Sequence, residues 1–177
     1  MLIHKAIEFA AIRHKDQKRK GTELPYIVHP MEVMQILTEN GCDKNVIVAG
    51  ILHDTIEDTE TTYDDVLEYF GKEIADIVAS ESEDKSKSWK ERKQTTIARL
   101  PNESFETQLV CCADKLSNLR SMLSDYQKVG EKLWERFRSD RENIKWYYNG
   151  IIESLSVLED YDMYQELKNT FQKLFEN

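Results

Sequence analysis

Four side chains that can bind a divalent cation or move a proton fall in one short stretch: His53, Asp54, Glu57 and Asp58. His53 and Glu57 are four residues apart, as are Asp54 and Asp58, so on a helix each pair stacks one turn apart on the same side. At ~100° per residue the four fan over roughly 140° of one helix end. They follow the apolar run Val48-Ala49-Gly50-Ile51-Leu52, which reads as a buried helix. Like charges crowded at the end of a buried run repel, and unpaired buried charges are costly. A divalent cation relieves that conflict. The competing reading is a polar helix end facing solvent; Glu57 and Asp58 at this spacing favour the metal site.

A metal needs ligands from more than one element. The chain has only His4, His14, His29 and His53. His4 lies near the terminus, and His14 sits in a basic helix end, where phosphate binding or capping suits it better than ligation. His29 stands before Pro30 after an apolar loop, Leu24-Pro25-Tyr26-Ile27-Val28, and can be aimed rigidly. Asp114 is the candidate fourth ligand. It is flanked by apolar core residues and needs a partner, a salt bridge being the competing explanation. One turn on, Asn118 shares its face. A metal that acidifies water and neutralises phosphate suits hydrolysis of a phosphoester, with a nearby carboxylate taking the proton. Imidazole and carboxylate ligands leave Mn, Fe, Co and Zn open.

The combined motifs resemble the HD superfamily of metal-dependent phosphohydrolases. More narrowly, Arg19-Lys20, Pro25-Tyr26-Ile27-Val28-His29-Pro30, Leu52-His53-Asp54-Thr55-Ile56-Glu57-Asp58-Thr59 and Ala113-Asp114-Lys115-Leu116-Ser117-Asn118-Leu119-Arg120 are similar to the hydrolase domain of the RelA/SpoT homologues, above all the stand-alone small alarmone hydrolases. HDxxED followed by DKxxN is specific where HD alone is not. The resemblance implies a single Mn²⁺ on His29, His53, Asp54 and Asp114. It implies that Glu57 and Asp58 orient and deprotonate the attacking water. Arg19 would lie against the nucleobase, Lys20 near the phosphates and Asn118 near the ribose. The implied reaction removes the 3′-pyrophosphate of (p)ppGpp to give GDP or GTP. Some stand-alone members resemble phosphatases of the NADPH 2′-phosphate, so NADPH or a deoxynucleotide remains an alternative substrate. A non-catalytic nucleotide-binding regulatory module is the alternative of another class, disfavoured because all six metal and catalytic positions stand. Between Ser80 and Lys90 only Asp84-Lys85 resembles the family, which bears on substrate choice. The length leaves no room for the synthetase and regulatory domains of the long relatives.

These residues need helices to carry them. Ile3, Ala6, Ile7, Ala10 and Ala11 predict an opening amphipathic helix that runs into the basic stretch Arg13 to Lys20 and ends at Gly21. Pro30 predicts a second helix with His29 at or beside its N-cap, stopping at Gly41. The helix of the metal motif is expected from about Lys44 to Thr55. Thr61 or Thr62 caps a short helix closed by Gly71, and another covers Ile74 to Ala79. Ser80 to Lys90 is the expected mobile loop. Helices follow from about Trp89 to Leu100 and from about Glu106 to Leu123, then apolar and aromatic residues at helical spacing to Leu174. The expectation is an all-α, single-domain helical bundle of the HD type over 1–177, with motifs within 14–120 and packing helices in 126–177.

The 177 residues suit one domain. No apolar run reaches the ~20 residues that span a bilayer, and the N-terminus lacks a secretory pattern. With Cys42, Cys111 and Cys112 forming no zinc-like spacing, a cytoplasmic protein without membrane partners is expected. A net charge of −9 argues against a nucleic-acid polymer and leaves room for a small nucleotide on a local basic patch.

Overall fold

A computed structural model describes residues 1–176. The all-α expectation holds: among the described residues ten α-helices are joined by turns and short 3₁₀ segments, and the sole β-type pairing is an isolated bridge between Lys18 and Pro25. The helices are α1 (Leu2–Arg13), α2 (Val28–Glu39), α3 (Lys44–Leu52), α4 (Thr55–Asp58), α5 (Tyr63–Phe70), α6 (Lys72–Ser80), α7 (Trp89–Arg99), α8 (Phe105–Val129), α9 (Arg141–Ser154) and α10 (Asp162–Phe175).

α3 lies at the centre and packs against α1, α2, α6 and α8. Every residue from Val46 to Leu52 is buried, as an all-round apolar helix requires. Gly50 lets α2 approach: a Cβ there would stand 2.4 Å from Leu37 Cδ1 and 3.2 Å from Val33 Cγ1. α8 is the second spine, packing on α2, α3 and α10. It runs past the expected stop near Leu123 to Val129, and Gly130 at φ 59° ends it. The C-terminal aromatics pack as expected, with Trp134 stacked on Phe175.

Three local expectations are corrected. α1 stops at Arg13, well before Gly21, and the basic stretch folds back on itself: Arg19 N–H donates to Leu24 O and Tyr26 N–H to Gln17 O. Gly21, at φ 74°, supplies the turn. The helix before the metal motif breaks at Leu52, because side chains take the carbonyls of its last turn: His53 Nδ1 bonds Gly50 O at 2.8 Å and Thr55 Oγ1 bonds Leu52 O at 2.7 Å. His29 lies inside the first turn of α2, with Pro30 where no intrahelical N–H partner is needed.

The segment expected to be mobile is pinned. Glu83 accepts from Arg92 (3.1 Å), Lys93 (2.8 Å) and Thr96 (3.1 Å). Lys85 Nζ reaches Glu57 O at 2.6 Å and Asp58 Oδ1 at 3.0 Å. Of the two threonines, Thr62 caps α5, in a capping box with Asp65.

Candidate metal centre

His29 from α2, His53 and Asp54 from the α3–α4 break, and Asp114 from α8 converge. His53 Nε2 lies 2.9 Å from Asp54 Oδ2 and 3.6 Å from Asp114 Oδ1. His29 Nε2 lies 3.0 Å from Asp114 Oδ1 and 3.6 Å from Asp54 Oδ2. The ligand atoms of His29, His53 and Asp114 all fall within 4.8 Å of one another, and these three residues are buried. Asp54 is at the rim of the cluster, where Tyr26 OH donates to its Oδ2 at 2.5 Å.

The donor set fits a divalent cation. His53 Nδ1 is committed to a carbonyl and must carry the proton, so Nε2 presents a lone pair. That atom is buried and, despite its nearness to Asp54, makes no hydrogen bond of acceptable geometry. Two imidazoles facing two carboxylates call for a positive charge between them, supplied by a proton or by a cation. Burial lowers the pKa of His29, while at His53 burial is outweighed by Asp54 and Asp114, which raise it well above the usual value. Burial would likewise raise both carboxyls, but His53 holds Asp54 low, and Lys115 with the two imidazoles holds Asp114 low. With a divalent cation in place of the proton that His53 gains there, the four groups would serve as two neutral imidazoles and two carboxylates, and this buried cluster suits a divalent metal.

Glu57 and Asp58 follow on α4. Burial raises the Glu57 pKa, with Asp58, Glu83 and Asp54 adding to the effect and Lys85 opposing it. Lys85 holds Asp58 from one side, and Gln17 Nε2 donates to Asp58 O at 2.6 Å from another. Gln17 is itself held by His14 Nδ1 at 2.7 Å. His14 is therefore a buried strut at the α1 end and does not join the cluster.

Asn118 Nδ2 donates to Asp114 Oδ1 at 2.6 Å, and Arg19 donates to Asn118 Oδ1 at 3.0 Å. Both line a cavity of about 320 Å³ beside the cluster, with Lys20, Phe137, Arg138 and Tyr147 among its other walls. Lys20 has no carboxylate within 4.0 Å among the described residues, and burial, then Arg138, lowers its pKa. The expected substrate residues Arg19, Lys20 and Asn118 thus share one cationic cavity next to the candidate metal ligands.

Sequence reasoning missed several supports. Lys115 meets Asp114 Oδ2 at 2.5 Å. Tyr26 and Lys85 stand inside the motifs, but nothing in their spacing assigns them a role. The cavity wall from Phe137 to Tyr148 was read as bundle packing, because aromatic residues at helical spacing look the same in either role.

The HD domain family matches residues 6–144. The guanosine-3′,5′-bis(diphosphate) 3′-pyrophosphohydrolase MESH1 of Xenopus tropicalis is 43% identical over 164 residues, covering 89% of each chain. The same-named protein of Mus musculus is 34% identical over 174 residues, 97% of this chain and 91% of its own. A solved structure of a metazoan ortholog of SpoT that hydrolyzes ppGpp is similar with a TM-score of 0.81 at 27% identity, covering 97% of this chain and 94% of that one.

Proposed function

The chain belongs to the HD domain family, and from that premise we propose that it is an Mn²⁺-dependent, cytoplasmic guanosine-3′,5′-bis(diphosphate) 3′-pyrophosphohydrolase, its residues 1–177 forming one domain. The observation that carries the reading is the continuity from the His29, His53, Asp54 and Asp114 cluster, through Asn118 and Arg19, into a cationic cavity. The names of the relatives support the same substrate.

His29, His53, Asp54 and Asp114 would hold one ion. When bound, it would acidify a water molecule and offset phosphate charge. Glu57, whose raised pKa brings it nearer to neutrality, takes the proton of the attacking water. Asp58, fixed by Lys85 and Gln17, orients that water. Arg19 presents a flat guanidinium to a purine, Asn118 a polar edge to the ribose, and Lys20 a point charge to phosphate. The bond between the ribose 3′ oxygen and phosphorus breaks, releasing pyrophosphate and leaving GDP or GTP.

The test is direct. Mn²⁺-loaded protein is incubated separately with ppGpp, pppGpp, NADPH and deoxynucleoside triphosphates, and pyrophosphate is resolved from orthophosphate. Pyrophosphate from ppGpp and pppGpp is expected. Orthophosphate from NADPH alone, or turnover confined to deoxynucleotides, would replace the substrate; no turnover of any would leave a binding module.

A further inference from the structure

The two histidines of the cluster are aimed by different means. His53 Nδ1 is held by a backbone carbonyl. His29 Nδ1 instead lies 2.8 Å from Ser117 Oγ, and the Ser117 hydroxyl donates to Glu32 Oε2 at 2.9 Å. The other oxygen of Glu32 accepts from Arg120 at 3.2 Å, and Arg120 is anchored on α10 by two bonds of 2.7 Å to Glu166.

A hydroxyl has one proton to give. With that proton on Glu32, Ser117 Oγ can offer His29 only a lone pair. His29 must then carry its own proton on Nδ1, and Nε2 keeps its lone pair toward Asp114 and Asp54. Ser117 is fully buried and His29 is 2% exposed, so solvent does not replace the relay. We propose that Glu32 and Ser117 are positioning residues that select the Nδ1–H form of His29 and thereby fix it as an Nε2 ligand. The inference rests on the metal reading above. It concerns cation affinity and is independent of which nucleotide is hydrolysed.

Among the described residues the Glu32 carboxylate bonds Ser117 and Arg120 and none of the cluster's own side chains. Without its carboxylate, the freed hydroxyl can turn and donate to Nδ1. The imidazole proton then moves to Nε2, where it faces the carboxylates in place of a cation. Partners that set a ligand's tautomer are typically worth about 10–100-fold in metal affinity.

The experiment measures Mn²⁺ dissociation constants of chelator-stripped protein from the electron paramagnetic resonance signal of free Mn²⁺. It compares wild type, Ser117→Ala, Glu32→Ala, the double variant, and Ser154→Ala as a half-buried hydroxyl that bonds Ile97 O and Gly150 O and no residue of the cluster. Ser117→Ala and Glu32→Ala should each weaken binding by about 10–100-fold. The double variant should be no weaker than Ser117→Ala, because both act through one path. Ser154→Ala should match wild type. If Ser117→Ala misfolds by circular dichroism, Glu32→Ala, at a partly exposed residue, still decides. Variants within about twofold of wild type, or effects that multiply in the double variant, overturn the relay alone. A wild type that takes up no Mn²⁺ overturns both the relay and the proposed function.

Discussion

At the scale of single residues the proposed chemistry falls to Glu57 and Asp58, and their surroundings differ. Glu57 is half-buried and its pKa lies above the usual glutamate value, through burial first and then Asp58 and Glu83. A base works only when deprotonated, so kcat/KM should be full above that raised pKa and fall as pH drops through it. Lys85 opposes the rise. Lys85→Met should therefore move the acid limb of the pH–rate profile to higher pH, and a limb left in place would separate Glu57 from the titrating step. Glu57→Gln and Asp58→Asn should each retain Mn²⁺ while losing on the order of a hundredfold or more in kcat. A variant that lost metal as fully as His53→Ala would identify its residue as a ligand. Arg19→Ala and Lys20→Ala should act on the other side of the reaction, costing about ten- to a hundredfold in kcat/KM for ppGpp through KM. Lys5→Ala, on the exposed face of α1, is their control, and values indistinguishable from it would remove both from the site.

The helices were legible where a single face or a single punctuating residue decides them, and less so where tertiary contacts do. The apolar run into His53, the Thr62 cap and the α10 stripe follow from periodicity and capping. The break after Leu52 does not: nothing in helix propensity predicts that His53 and Thr55 will bond back to Gly50 and Leu52. His53 and Asp54 keep αR backbone angles across that break, and their side chains meet His29 there. Asp114 was readable because a carboxylate among Cys111, Cys112, Ala113 and Leu116 needs a partner, whereas Ser117 and Glu32, a small hydroxyl and a partly exposed acid, give no such signal. Gly50 shows how element packing and ligand aim are joined. Its missing Cβ admits Leu37, which is fully buried, and its carbonyl orients His53. Gly50→Ala should force Leu37 and Val33 apart, lowering stability by about 1–3 kcal/mol. Thermal unfolding of the metal-free protein checks this, and a midpoint equal to wild type would mean that α2 and α3 give way without cost.

Across the whole molecule, the helical core supports a half-buried acid outside the proposed reaction. Glu81 follows α6, and its Oε1 is shielded from solvent without a hydrogen-bond partner. Burial raises its pKa to about 7, with Asp114 adding to the rise and Lys115 opposing it. An unfolded chain ionises this group near its ordinary value of 4.5. Between those values the folded state therefore binds more protons than the unfolded one, and stability falls as pH rises. The contribution of Glu81 is fully present below about pH 4.5 and lost by about pH 7, an effect on the order of 2–3 kcal/mol. Glu81→Gln keeps the shape and removes the ionisation. Relative to wild type it should gain stability at pH 8 and gain little or nothing at pH 5, read from urea unfolding at both values with the metal stripped in both proteins. Equal differences at the two pH values would mean that Glu81 ionises alike in the folded and unfolded states, and that the polar interior beside Asp114 admits its charge without cost.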